Sequence, residues 1–251
     1  MEPFMIYTGN HLFHYTKYES ALKIIASGGL KFGDFKNMND IAEAYREVFG
    51  MAEDAVINKV LGEYQSISFT MDRPSRRGFA IDPLWGHYSQ KGCGACLVFD
   101  KKKLEAQLKA QYGRIAKISK IKYVVNHVGT VFTDGYNEDE VRQYVKENIK
   151  NIFFTKSIEW KYENEIRIII TKESDTNSLY YGDALMAAIL CLPKIEDFNE
   201  YKKSPEFSIM KAVLPSKPIL RYTTRLGNKE LLDEDGEKTC GIIGVDWQLA
   251  I

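Results

Sequence analysis

Glu163, Glu165 and Arg167 alternate along "SIEWKYENEIRIII", residues 157–170, a segment that ends in Ile168-Ile169-Ile170. Read as a strand, residues two apart share one face. The two carboxylates then sit about 7 Å apart by strand rise, with a guanidinium next in line. Such a triplet suits a fixed negative charge steadied by a positive one. It equally suits a solvated strand face closed by a cross-strand salt bridge.

Other groups with chemical potential are scattered. His14-Tyr15-Thr16 ends a first strand, where a packed tyrosine, a capping threonine and a backbone-bonded histidine are the plain alternative. Asn37-Met38-Asn39-Asp40-Ile41-Ala42-Glu43 puts Asp40 and Glu43 on one helical turn, where acids also serve as N-terminal caps. Trp85-Gly86-His87-Tyr88 reads as a site edge or as an aromatic plug closing a loop. Cys93-Gly94-Ala95-Cys96 has the spacing of half a zinc site or of a redox pair, but no second C-x-x-C or paired histidine completes four ligands, and the pair leads into the apolar "LVFD" rather than a helix start. His11, His14, His87 and His127 have no ligand spacing, so no metal is expected. "GGLKFG" and "KGCGAC" lack the strand-before, helix-after setting of phosphate-binding loops. There is no G-x-S-x-G and no H-E-x-x-H. Arg73, Arg76 and Arg77 form a compact basic cluster in "DRPSRRG".

The positioning elements follow from periodicity. "HLFHYT" is a short strand, and Thr16 with Glu19 predicts a capping box that opens a helix over "ESALKIIAS", closed by Gly28-Gly29. "LKFGD" continues as a short strand. Helical spacing runs from about Asp40 to Leu61. "QSISFT" and "ACLVFD" read as strands, "RPSRRGFAIDP" as a loop, "LWGHYSQKG" as a short helix or turn and "KKKLEAQLKAQ" as a helix. "RIAKISKIKYVV" predicts a strand, "NEDEVRQYVKENIKNIFF" a helix, and "NEIRIIIT", "ALMAAILCL" and "FSIMKAVL" further strands, with a short helix at "KIEDFNEYKK". The sequence reads as one α+β domain over 1–251, with its motifs in about 11–171 and a strand-rich part at 172–251.

The 251 residues suffice for a buried core, and 45% hydrophobic with 27% charged residues describe an ordinary globular chain. Thirty-four basic residues balance 34 acidic ones, so no global charge draws the chain to nucleic acid or membrane. No apolar run approaches membrane-spanning length, and the start shows no secretory signal. The expectation is a cytoplasmic protein with its four cysteines reduced.

In order, H-Y-T, a helix ending in G-L, N-x-N-D-x-x-E, "SFT", W-x-H-Y, G-x-C-L-x-F-D and W-x-Y-E-x-E-x-R resemble an uncharacterised bacterial family carrying only a "domain of unknown function" label. That family is grouped with ADP-ribosyltransferase-like folds, whose members occur among defence and toxin-like genes. The resemblance implies two small, mostly antiparallel sheets flanked by helices, with NAD held in a cleft as substrate. It gives His14 a bond to the cofactor's ribose and Glu165 or Glu163 the catalytic role. Tyr88, Trp85 or Tyr15 would stack on nicotinamide, and Thr16, Asn39, Asp40 and Arg167 would complete the cofactor site. A fixed carboxylate would stabilise the oxocarbenium-like state formed as nicotinamide leaves, kept ionised by Arg167.

The implied activity is ADP-ribosyl transfer to an unknown protein or nucleic acid, or NAD hydrolysis. The alternatives are a non-catalytic nucleotide- or partner-binding module and an enzyme acting on phosphorylated RNA ends. Two departures stand out. The aromatic-Ser-Thr-Ser motif of one branch of these transferases is echoed only distantly by "SISFT", and no target-recognition turn precedes Glu163.

Overall fold

The computed structural model describes residues 9–35, 55–74, 76–89, 93–125, 136–172, 177–192, 194–225 and 228–237. Asn37, Asn39, Asp40, Glu43, His127, Cys240, most of the helix expected from Asp40 and the closing "CGIIGVDWQLAI" lie outside them. Chain order begins β1 (His11–Thr16), α1 (Tyr18–Ser27), β2 (Gly29–Lys31), β3 (Gly33–Asp34), α2 (Ala55–Leu61) and β4 (Tyr64–Met71). It continues with α3 (Asp82–Tyr88), β5 (Gly94–Asp100), α4 (Lys101–Tyr112), β6 (Ala116–Lys120), β7 (Lys122–Val124), α5 (Glu138–Glu147) and α6 (Ile149–Phe153). Then come β8 (Thr155–Ser157), a 3-10 helix (Ile158–Glu163), β9 (Glu165–Thr171), β10 (Ser178–Tyr180), a short 3-10 turn (Gly182–Ala184) and β11 (Leu185–Cys191). The series closes with α7 (Phe198–Lys203), α8 (Pro205–Val213), β12 (Ile219–Arg225) and β13 (Asn228–Leu232).

The fold class is α+β. Contacts divide the chain into two compact units, one of Met1–Leu30, Phe69–Leu108 and Tyr180–Ile251, the other of Lys31–Ser68 and Lys109–Leu179. Strand β4 contributes its last three residues to the first unit and its first five to the second.

In the first unit the strand order is β13-β12-β11-β5-β1-β4. All neighbours are antiparallel except the parallel pair β11–β12. Strand β5 is central, pairing His14 with Leu97 and Thr16 with Ala95 on one side and Ile189 with Cys96 on the other. Ala95 to Phe99 are fully buried, which is why "ACLVF" is apolar without alternation. Helix α1 ends where Gly28 takes φ of 67°, a left-handed value that glycine accepts without a Cβ penalty.

Two expectations are corrected here. Thr16 does not cap α1: it stays in β1, and the N-cap is Lys17, without a side-chain bond. "FSIMKAVL" is not a strand but most of α8. Ser204 accepts the Phe207 N–H at 3.2 Å, Pro205 occupies the first turn, and Phe207 and Met210 bury one helical face. The start signal in "SPE" outweighs the apolar run behind it.

In the second unit the order is β4-β9-β6, with β3 pairing antiparallel along β4. The expected strand "RIAKISKIKYVV" is broken at Ile121, whose side chain is buried and whose N–H donates to the Glu165 carbonyl at 3.0 Å. Beyond the break, β7 leaves to pair in parallel with β8, setting Tyr123 opposite Lys156. Helix α5 opens on a reciprocal capping box between Asn137 and Glu140, and α6 begins after Asn148. Val141 and Val145 pack with Ile57, Val60, Tyr64, Phe153 and Ile169 in the unit's core.

Replacing Ser204 by Ala removes the cap that makes α8 a helix. The expected loss is about 1 kcal/mol of unfolding free energy, read as a lower urea midpoint with unchanged slope.

Candidate functional site

Glu163 lies outside the strand. It ends the 3-10 helix Ile158–Glu163, and Asn164 then takes φ of 47° before β9 begins at Glu165. The expected single face of three charges is therefore corrected: a left-handed Asn164, tolerated better by asparagine than by most residues, resets the chain direction between the two glutamates. Both still reach the same buried volume, because a lysine absent from the sequence reading bridges them.

Lys156 Nζ lies 2.7 Å from Glu163 Oε2 and 3.6 Å from Glu165 Oε2. Arg167 donates to Glu165 through Nε at 2.7 Å and Nη2 at 3.1 Å, and to the Phe153 carbonyl through Nη1 at 2.9 Å. Ser68 Oγ donates to Glu165 Oε1 at 2.5 Å, and the Glu165 N–H donates to the Tyr123 hydroxyl at 2.9 Å. Aromatic faces cover the cations: Lys156 Nζ is 4.5 Å from the Trp160 centroid and the Arg167 guanidinium 5.6 Å from that of Phe35. Lys156, Glu163, Glu165 and Arg167 are 1–4% exposed. A solvated strand face is thereby excluded.

Burial alone pushes the Glu165 carboxyl up. The charges of Arg167 and Lys156, with the bonds from Arg167 and Ser68, outweigh it and hold the group below the ordinary glutamate value. Burial likewise raises the Tyr123 phenol, so it stays a neutral acceptor toward the Glu165 N–H.

In the first unit, alternation along β1 separates the H-Y-T motif. His14 and Thr16 share a half-buried face, while Tyr15 turns to the buried side. The Tyr15 hydroxyl donates to the Gly78 carbonyl at 2.7 Å, and its ring meets Trp85 edge-on with centroids 4.9 Å apart. Trp85 stacks on Tyr222 at 5.3 Å and donates its indole N–H to the Phe79 carbonyl at 2.9 Å. The Tyr222 hydroxyl donates to Asp82 Oδ1 at 2.7 Å, and Lys229 Nζ lies 2.9 Å from Asp82 Oδ2. Tyr15 and Trp85 thus commit their rings and polar atoms to the protein itself. Of the three aromatics singled out in the sequence, Tyr88, at the end of α3, is the half-buried one. His14 rests against Phe69 with ring centroids 5.6 Å apart.

The basic cluster does not stay together at the surface. Arg77 is fully buried and paired with Asp72 at 3.1 Å. Burial pushes the Cys96 thiol far up and the Cys191 thiol up to about 12, which suits packed, protonated groups.

Ser68, Tyr123 and Lys156, which join the two glutamates, and Tyr222, which stacks on Trp85, carry no signal of these contacts in the sequence. Ser68 lies in the "SISFT" segment, set aside as a distant echo of Ser-Thr-Ser. Lys156 had no periodic signal, because two changes of backbone type separate it from Glu165.

Residues 84–168 match the sequence model of a family described as a protein of unknown function (DUF2971). The match bears out the expected likeness to an uncharacterised family, and it contains the W-x-H-Y, G-x-C-L-x-F-D and W-x-Y-E-x-E-x-R motifs. No curated protein matches the chain. Among solved structures, Thermus sp. 2.9 DarT in complex with NAD+ is similar at 14% identity, covering 86% of this chain and 92% of that one, with a TM-score of 0.33. Thermus sp. 2.9 DarT in complex with ADP-ribosylated ssDNA is similar at 13% identity, with coverages of 85% and 93% and a TM-score of 0.34. No helix among the described residues is long and apolar enough to cross a membrane.

Arg167→Met removes a cation beside Glu165 and a donor to the Phe153 carbonyl. The expected cost is about 3–5 kcal/mol in urea unfolding at neutral pH. The Glu165 carboxyl is lower in the folded chain than in the unfolded one, so its contribution is complete above the unfolded carboxylate value and lost as pH falls through the folded one. The gap between wild type and Arg167→Met should therefore narrow in acid, as unfolding curves from pH 7 down to pH 3 would record.

Proposed function

We propose that the chain is an ADP-ribosyltransferase-like enzyme that uses NAD as substrate. It breaks the nicotinamide–ribose bond and passes ADP-ribose to a protein or nucleic-acid group, or to water. Glu165 is the observation that carries this reading. It occupies the Glu position of the W-x-Y-E-x-E-x-R motif and is held ionised and oriented by Arg167, Lys156 and Ser68.

In the proposed reaction the electrons of the glycosidic bond leave with nicotinamide, which departs neutral, and positive charge develops on the ribose. A carboxylate already fixed in place stabilises that charge without reorganising during the step. Glu163 accepts the proton of the incoming hydroxyl. His14 and Thr16 contribute to ribose binding, Tyr88 stacks on nicotinamide, and Asn39 and Asp40 complete the cofactor site as the family resemblance implies. The same resemblance supports a place among bacterial defence or toxin-like proteins.

A second reading is a nucleotide- or partner-binding module without turnover. It is favoured by the number of donors on Glu165: two from Arg167, one from Ser68 and the nearby Lys156 ammonium. Together these approach the roughly four acceptor sites of a carboxylate.

The deciding measurement is nicotinamide release from NAD by chromatography, alongside NAD binding by calorimetry. Wild type should release nicotinamide, and Glu165→Gln should slow release by about 100-fold in folded protein. His14→Ala should act mainly on KM. Absence of both release and binding overturns the NAD reading. Binding without release, unchanged in Glu165→Gln, selects the module instead.

A further inference from the structure

Lys156 approaches both glutamates of the buried cluster, and nothing in the motif set accounts for it. Its approach is uneven, 2.7 Å to Glu163 and 3.6 Å to Glu165, while Arg167 serves Glu165 with two bonds. The Trp160 ring lies over the ammonium, and β8 fixes its backbone against β7. We propose that Lys156 is a positioning residue that makes the two glutamates unequal, clamping Glu163 by a direct ion pair and leaving Glu165 to Arg167 and Ser68.

The geometry requires a second cation. Two carboxylates in one buried volume with only Arg167 beside them would be driven to share a proton, since like charges in low dielectric resist joint ionisation. With Lys156 present, charges of each sign balance and both acids can stay ionised. The titratable groups facing this point come from each element around it: Tyr123 from β7, Lys156 from β8, Tyr162 and Glu163 from the 3-10 helix, and Glu165 and Arg167 from β9. Burial, then the Glu163 charge, raises the Tyr162 phenol, so both tyrosines stay neutral. The proposal rests on Glu165 as the reacting carboxylate only for its effect on turnover; the protonation of the two acids tests it independently.

The experiment is a pH titration of carboxyl-13C-glutamate-labelled protein by NMR, with Glu163→Gln and Glu165→Gln assigning the two resonances. Wild type should show both carboxylates ionised at neutral pH. In Lys156→Met one of them should titrate at least about one pH unit higher, and Lys156→Arg should return it toward wild type. Should Lys156→Met fail to fold, Glu163→Gln carries the test: removing the competing carboxylate should lower the Glu165 midpoint. An unchanged midpoint in folded Lys156→Met, or an unchanged Glu165 midpoint in Glu163→Gln, overturns the proposal. If wild type turns NAD over, Lys156→Met should lower kcat with its acid limb displaced to higher pH and KM little changed. If wild type neither binds NAD nor releases nicotinamide while the midpoints shift as expected, the NAD reading fails and the role of Lys156 stands.

Discussion

A lysine, two glutamates and an arginine share one buried volume in the second unit, and none of the four would be stable there alone. Taking an isolated charge out of water costs several kcal/mol even after relaxation. The cluster persists because its formal charges cancel and its donors meet acceptors at hydrogen-bond distance. Much of the local architecture follows from that demand. The ribbon β7–β8 delivers Tyr123 and Lys156, the 3-10 helix delivers Glu163, and the left-handed Asn164 lets β9 start again with Glu165 facing Arg167. Phe35 and Trp160 exclude water from the cations while offering ring faces to them.

The first unit solves a different problem, which is to hold a short helix that carries few hydrogen bonds of its own. Helix α3 spans seven residues, below the length at which an isolated helix is stable in water. Packing supplies what propensity does not: Tyr15 from β1 and Tyr222 from β12 enclose Trp85, and Asp82 is tied to Tyr222 and Lys229. Tyr222 and Lys229 lie beyond the family-matched residues 84–168. The late hairpin β12–β13 thus braces the W-x-H-Y motif without belonging to it.

Periodicity revealed the long elements and failed where the chain changes backbone type within a few residues. The strand around "ACLVFD", the helix "KKKLEAQLKAQ" and the helix opening at Asn137 were legible because one repeat persists through each. "FSIMKAVL" misled because a short apolar run fits either period, and its start signal, Ser204-Pro205, lay just upstream. The charged triplet is legible as a group but its geometry is not: a strand read through Glu163 hides the turn at Asn164. Lys156 was invisible for the same reason, since pairing across a parallel ribbon leaves no mark on local spacing. Ser68 was visible in "SISFT", but its link to Glu165 depends on β4 and β9 becoming neighbours 97 residues apart in sequence.

A carboxylate so fully bonded bears on whether it can also react. Arg167 and Lys156 cannot be drawn from Glu165 without stranding buried charge, so they fix its position and ionisation. Ser68 differs: its donor is a neutral hydroxyl, and it is half-buried where the four charged members are closed to solvent. Exchanging one hydroxyl for another at Glu165 Oε1 keeps the charge balance and the number of bonds, so the energetic barrier to admitting a ligand hydroxyl is smallest there. The closed cluster and a working carboxylate are therefore compatible. On the proposed role of Glu165, the two cations set the anion, and the neutral Ser68 hydroxyl is the donor a ligand hydroxyl would replace.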